Sequence, residues 1–145
     1  MPPSSQNTRY SPALTNSPQT VTTTRNYQFG PCVSVSQPAV ISGTATLVST
    51  GSRTCLDLLK SNAVTLTITW NTGQTSMLSG NSVVNVVGAV NQTEVTGTIA
   101  SGLFAGDTFL MNVTGAATDI TLCTLGLGTV SSLYDTITLE ITSFV

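Results

Sequence analysis

Along most of this chain, threonine alternates with valine, isoleucine and leucine at a period of two. The clearest stretch is Val64-Thr65-Leu66-Thr67-Ile68-Thr69-Trp70. Side chains alternate across a β-strand, so Val64, Leu66, Ile68 and Trp70 share a buried face and the three threonines a wet one. Asn71-Thr72-Gly73 supplies a tight turn, and Gln74 to Leu78 returns antiparallel. Thr20 to Tyr27 forms an earlier strand, closed by Gly30-Pro31, and Gly43 to Val48 forms the next, with Ala45 and Leu47 opposite Thr44 and Thr46. Ser82 to Val87 is nearly continuous apolar and is expected to be covered on both faces. Glu94 to Ala100 and Thr108 to Thr114 follow, with Phe109, Met111 and Val113 together on one face. The last strand runs from Thr136 to Thr142 and turns Ile137, Leu139 and Ile141 inward.

About eight strands at spacings near ten residues predict an all-β, single-domain antiparallel β-sandwich of Ig-like or jelly-roll topology over residues 20–145. Asp119 to Leu122 is a short segment and Leu125-Gly126-Leu127-Gly128 a loop. Leu56 to Lys60 is the one place for a helical turn. Residues 1–19 differ from the rest. Pro2, Pro3, Pro12 and Pro18 favour extended backbone and oppose helix. They predict an extended or flexible N-terminal arm, suited to docking on a neighbouring subunit.

Strand counting also bears on the three cysteines, Cys32, Cys55 and Cys123. If the first strand runs up, Cys32 sits at the top and Cys55, after a descending strand, at the bottom. Continuing the alternation brings Cys123 to the bottom as well. The expected disulfide is Cys55–Cys123, with Cys32 left free at the other end; the alternative is three buried thiols.

Composition narrows the function. Charged residues are 7% of the chain and the net charge is −2. The cations Arg9, Arg25, Arg53 and Lys60 are scattered, so no basic patch exists for nucleic acid or an anionic membrane. No apolar run approaches the roughly eighteen residues of a membrane-spanning helix. Met1-Pro2-Pro3-Ser4-Ser5 lacks the basic start and apolar segment of a signal peptide. That fits either a mature secreted domain with an added methionine or a chain used without such export. The Thr/Gly-rich, Lys/Glu-poor composition favours the first.

The chain has no histidine, which removes Ser-His-Asp and Cys-His nucleophile systems. It also leaves a zinc site short of ligands, with no C-x-x-C pair present. Asp107, Asp119, Asp135 and Glu140 are the candidates for a carboxylate pair of the glycoside-hydrolase kind, or for oxygen ligation of calcium. Aspartates in such turns are more commonly turn-formers. Trp70 falls on an apolar face and reads as core, and Tyr10, Tyr27 and Tyr134 show no pattern. Lys60 with Asn62 or Asn85 would allow an isopeptide crosslink, although Lys60 also reads as a surface lysine. Asn91-Gln92-Thr93 and Asn112-Val113-Thr114 match the N-glycosylation pattern, the second less well because Asn112 lies within a strand.

Several segments in order resemble a group of small uncharacterised exported proteins of filamentous actinobacteria. They are Tyr10-Ser11-Pro12-Ala13-Leu14 with Ser17-Pro18-Gln19-Thr20-Val21, Gly30-Pro31-Cys32-Val33-Ser34, Ile68-Thr69-Trp70 with Gly73-Gln74-Thr75-Ser76, Ser101 to Thr108, and Leu122-Cys123. The resemblance implies an exported Thr/Gly-rich β-domain and supplies no activity. The chain departs from it in lacking the export signal and at Leu56 to Lys60.

The expectation is a non-catalytic extracellular or cell-surface structural and interaction protein. It has no cofactor, metal or nucleic-acid partner and no membrane insertion, and it binds another protein or itself. Contacts are expected through loops at one end: the Gly102–Thr108 turn, with Leu103, Phe104 and Asp107, and the 115–130 loop. The alternatives are a virion component that uses the arm for assembly and a hydrolase with paired carboxylates.

Overall fold

A computed structural model describes residues 4–143. It is all-β, but the strands close into one antiparallel barrel rather than two packed sheets. The strands are β1 (Ser5–Leu14), β2 (Gln19–Phe29), β3 (Gly43–Arg53), β4 (Ala63–Trp70), β5 (Thr75–Val87), β6 (Val90–Gly102), β7 (Thr108–Ala116) and β8 (Val130–Thr142). Each pairs with its neighbour in sequence, and β8 pairs with β1 to complete the ring. Closure covers the edges that an open sheet would carry, except where β3 and β4 part.

The expected arm is the barrel's own first strand. Ser5 to Ser11 pair with β2 from Gln28 to Thr22, and Ser5 to Arg9 pair with β8 from Thr136 to Ser132. Gln6, Thr8 and Tyr10 alternate inward and are buried. Pro12 cannot donate to a ladder, and the register with β8 shifts between Arg9 and Leu14, where it lies. The stretch looked like an arm because of its prolines, and two of its four inward residues, Gln6 and Thr8 against Tyr10 and Leu14, are polar. Pro2 and Pro3 lie outside the described residues.

One joint is thin. β3 and β4 share only two partner pairs, Gly43↔Trp70 and Thr44↔Thr69, and then diverge. Residues 54–62 span the gap. They include a 3₁₀ turn, Cys55–Leu59, where the sequence allowed one. Thr54 N–H donates to Asp57 Oδ2 at 2.7 Å, and Lys60 Nζ lies 3.2 Å from Asp57, so both hold this carboxyl below its usual range. Asn62 N–H donates to Ser82 Oγ at 3.0 Å and ties the connection to β5.

β4 stops opposite Asn81 of β5, so the far half of the β5–β6 hairpin is paired on one side only. Val83 and Val87, on the outward face of β5, are 52% and 69% exposed and Val86 is 42% exposed, so the double-sided cover expected for Ser82–Val87 is absent. At Gly80 and Gly97, paired across this hairpin, a Cβ would lie 2.1 Å and 2.0 Å from backbone oxygens of the opposite strand. Only glycine permits that approach.

The segment expected around Asp119 is a helix, α1 (Thr118–Thr124), which buries Ile120 and Cys123. Gly126 takes a positive φ of 76°, while Leu127 N–H donates to Leu122 O and Gly126 N–H to Cys123 O. This is a Schellman ending, and it explains the glycine. The helix and the 3₁₀ turn cap one end of the barrel. There Cys55 and Cys123 form the disulfide expected from strand counting, with Cα atoms 6.0 Å apart.

Two apolar clusters fill the barrel. The larger contains Tyr27, Phe29, Leu66, Ile68, Trp70, Phe109 and Ile137; the smaller, at the capped end, contains Tyr10, Leu14, Val21, Val130 and the disulfide.

Candidate functional site

The end opposite the disulfide is open. It is built by the 30–42 connection, the Asn71–Gln74 turn, the Gly102–Asp107 turn and the last residues of β8. Asn71 anchors the connection: its Oδ1 accepts from Ile41 N–H at 2.9 Å, and its Nδ2 donates to Ala39 O at 2.9 Å. Gly30 N–H donates to Ser4 Oγ at 3.0 Å, which ties the start of β1 to the same rim.

A buried relay sets the Gly102–Asp107 turn. Trp70 Nε1 donates to Ser76 Oγ at 2.8 Å, and that hydroxyl donates to Leu103 O at 2.5 Å. Ser76 is fully buried, so its hydroxyl needs both partners. The turn thereby seats the Phe104 ring against the Trp70 indole, edge to face, with centroids 5.9 Å apart and planes at 90°. Phe104 has a φ of 68°, rare for a side chain of this size.

Between these parts lies a cavity of about 520 Å³. Phe29, Val40, Trp70, Phe104, Leu139 and Ile141 form its apolar wall, while Ser4, Ser34, Ser143 and Asp107 bring hydroxyls and one carboxylate to it. Val33 and Val35 border the cavity and are 95% and 99% exposed, so the rim presents apolar side chains directly to water. The free thiol of Cys32 also lines it, and burial raises that thiol above the ordinary cysteine range. An eight-stranded barrel is just wide enough to hold one small ligand when its side chains do not fill it.

Of the three expected contact residues, Phe104 and Asp107 line this cavity, while Leu103 packs against the main cluster. The 115–130 loop does not join them. It lies at the capped end, because β7 runs the length of the barrel between the two segments. Alternation had already turned Leu139 and Ile141 inward; what it could not reveal is that the interior stays unfilled beside them. Phe29 and Val40 carried no such signal, because the faces of β2 were not resolved.

A second polar feature lies deeper. Arg25 follows the inward parity of Val21, Thr23, Tyr27 and Phe29, and stands opposite Thr8 and Leu47 across the ladders. Its guanidinium lies beside Tyr10 of one apolar cluster and Tyr27 of the other. Burial raises both phenols, and the arginine partly offsets it. Arg25 Nε and Asn91 Oδ1 are buried without a hydrogen-bond partner among the described residues. Asp135 leans over Gly115, where a Cβ would meet its Oδ1 at 1.8 Å. Burial raises the Asp135 carboxyl above its ordinary range, and Arg25 opposes that rise.

Asp135 makes stability depend on pH. The folded chain holds its proton more tightly than the unfolded chain does. Between the unfolded value of about 3.9 and the higher folded one, stability contributed by this group falls as pH rises. Asp135→Asn is therefore expected to gain on the parent chain as pH climbs through that window, then hold a constant lead. Urea midpoints of both proteins from acid to neutral pH check this, and a lead that does not change with pH contradicts it.

The other expected acids are dispersed. Asp119 lies exposed on α1 at the capped end, Glu140 faces outward on β8, Asp107 is at the open end, and Asp135 is in the interior. Among the described residues, no group of three metal-ligating side chains converges. Lys60 is 61% exposed and paired with Asp57, while Asn62 Nδ2 donates to the Lys60 backbone carbonyl. Both glycosylation matches lie within strands, Asn112 on β7 as expected and Asn91 on β6. Asn91 has its side-chain oxygen buried, whereas Asn112 is exposed on the outer face of β7. Trp70 is core as expected, 4% exposed, yet one edge of that core is the cavity wall. No family model, no curated protein and no solved structure matches this chain.

Proposed function

We propose that this chain is a non-catalytic binding module of an oxidising, extracellular or cell-surface setting, and that it takes up a small molecule with an apolar body at the open end of its barrel. The observation that carries this reading is the asymmetry of the two ends. One end is sealed by a helix, a 3₁₀ turn and a disulfide. The other keeps a cavity of about 520 Å³ with aromatic walls and two fully exposed valines at its rim. That volume falls within the range of small-molecule sites, roughly 300–1,000 Å³, and apolar walls with a few polar groups are their usual composition. The disulfide fits an oxidising compartment. So does the resemblance to exported actinobacterial proteins carried by segments such as Gly30-Pro31-Cys32 and Ser101 to Thr108.

Titration with the neutral dye Nile red tests the reading. Its emission is expected to rise and saturate at one dye per chain, and bound dye is expected to slow maleimide labelling of Cys32. Leu139→Trp, which fills the cavity, is expected to abolish both effects in a chain that still folds. Dye binding that does not saturate, or that ignores Leu139→Trp, removes the open end as the site.

A further inference from the structure

We propose that the open end selects amphipathic amines: molecules with an apolar or aromatic body and a single cationic head. This rests on the binding reading above and adds the chemical class of the ligand. The charge distribution carries it. Among the described residues that line the cavity, Asp107 is the only one with a charged side chain. None of the chain's four cations is there. Arg9 points outward from β1, Arg25 is in the barrel interior, Arg53 ends β3 at the capped end, and Lys60 is paired with Asp57 beside the 3₁₀ turn. Among the described residues, an anionic ligand would find no counter-charge at the site and would face a carboxylate.

The geometry holds Asp107 ready. Its backbone carbonyl accepts from Ile99 N–H at 2.8 Å and its N–H donates to Phe104 O at 3.0 Å, which fixes the residue on the turn. Ser143 Oγ donates to Asp107 Oδ2 at 3.2 Å. A carboxylate has roughly four acceptor positions, so capacity remains for an ammonium N–H. The walls favour the same ligand. The aromatic side chains of Trp70, Phe104 and Phe29 in the wall suit the ligand's apolar body. Serine hydroxyls at the rim, Ser4, Ser34 and Ser143, accept the remaining N–H groups of a primary ammonium.

The test compares three molecules with one apolar body: 4-phenylbutylamine, 4-phenylbutanol and 4-phenylbutyrate. Each is titrated against the full chain while the emission of Trp70 is followed, since it is the only tryptophan. The amine is expected to bind about tenfold more tightly than the alcohol, as one charge-assisted hydrogen bond provides, with the carboxylate weakest. In Asp107→Asn the amine-to-alcohol ratio is expected to fall to about one. A measurement that needs no variant supports it: raising the salt concentration should erode the amine's advantage in the parent chain. If the alcohol binds as tightly as the amine, the charge selection is overturned while the binding site stands. If none of the three perturbs Trp70, the binding reading falls and this inference with it.

Discussion

Replacing Cys55 and Cys123 together by alanine is expected to cost roughly 4 kcal/mol of stability, the chain-entropy cost of releasing a loop of this size. The two residues are 68 positions apart, and both are fully buried. The bond joins the 3₁₀ turn to α1, two short elements that cap the barrel without entering its ladders. It also sits inside the smaller apolar cluster, so its loss removes packing around Leu14, Val21 and Val130. A domain of this size has about 5–15 kcal/mol in total, so a large share of it is at stake. Urea midpoints of the parent chain, the double variant and the reduced parent chain make the measurement. The last two should differ only by the packing that the two buried sulfurs supply. A loss below about 1 kcal/mol would mean that the cap holds through packing alone.

Trp70→Ala should rank beside it, at about 3–5 kcal/mol. The indole is 4% exposed and serves three structures at once. Its Nε1 donates to Ser76, its ring meets that of Phe104 at a right angle, and it lies so close over Gly43 that a Cβ there would come within 2.8 Å. Gly43↔Trp70 is one of only two pairs that join β3 to β4. Truncation therefore opens a cavity in the main cluster, releases the Phe104 turn, and loosens the thinnest joint of the barrel. Trp70→Phe keeps most of the buried area and loses one hydrogen bond, so it should cost markedly less. Far-ultraviolet circular dichroism follows unfolding without the tryptophan. Equal losses for the two variants would mean that the Ser76 relay, rather than the indole's volume, holds this end together.

Much of this fold could be read from the chain because alternation is local. Val64, Leu66, Ile68 and Trp70 face inward whatever their strand pairs with, since neighbouring side chains must point to opposite sides of a pleat. The disulfide was legible for a related reason: the direction of each strand follows from counting, and a disulfide needs both cysteines at one end. The helix at Thr118–Thr124 was not. Thr118, Thr121 and Thr124 are poor helix formers, and the element forms because Ile120 and Cys123 are buried against the barrel's end. The open end was half legible. Phe104 and Asp107 stood out as a turn between glycines, but Phe29 at the end of β2 and Val40 in the connection after it reach the same cavity from elsewhere in the chain.

What the chain's own pattern settled is the strand-forming stretches of β2 to β8, the inward side of most of them, and the pairing of two cysteines. Folding settled whether those strands make a sandwich or a ring, and it did so through β1. Ser5 to Arg9 bond to Ser132 to Thr136 at the far end of the chain and to β2 on the other side. A period of two is identical in both architectures, so no local pattern distinguishes them. Closure depends on which edges meet, and the unfilled space at one end depends on how the inward side chains add up after they meet.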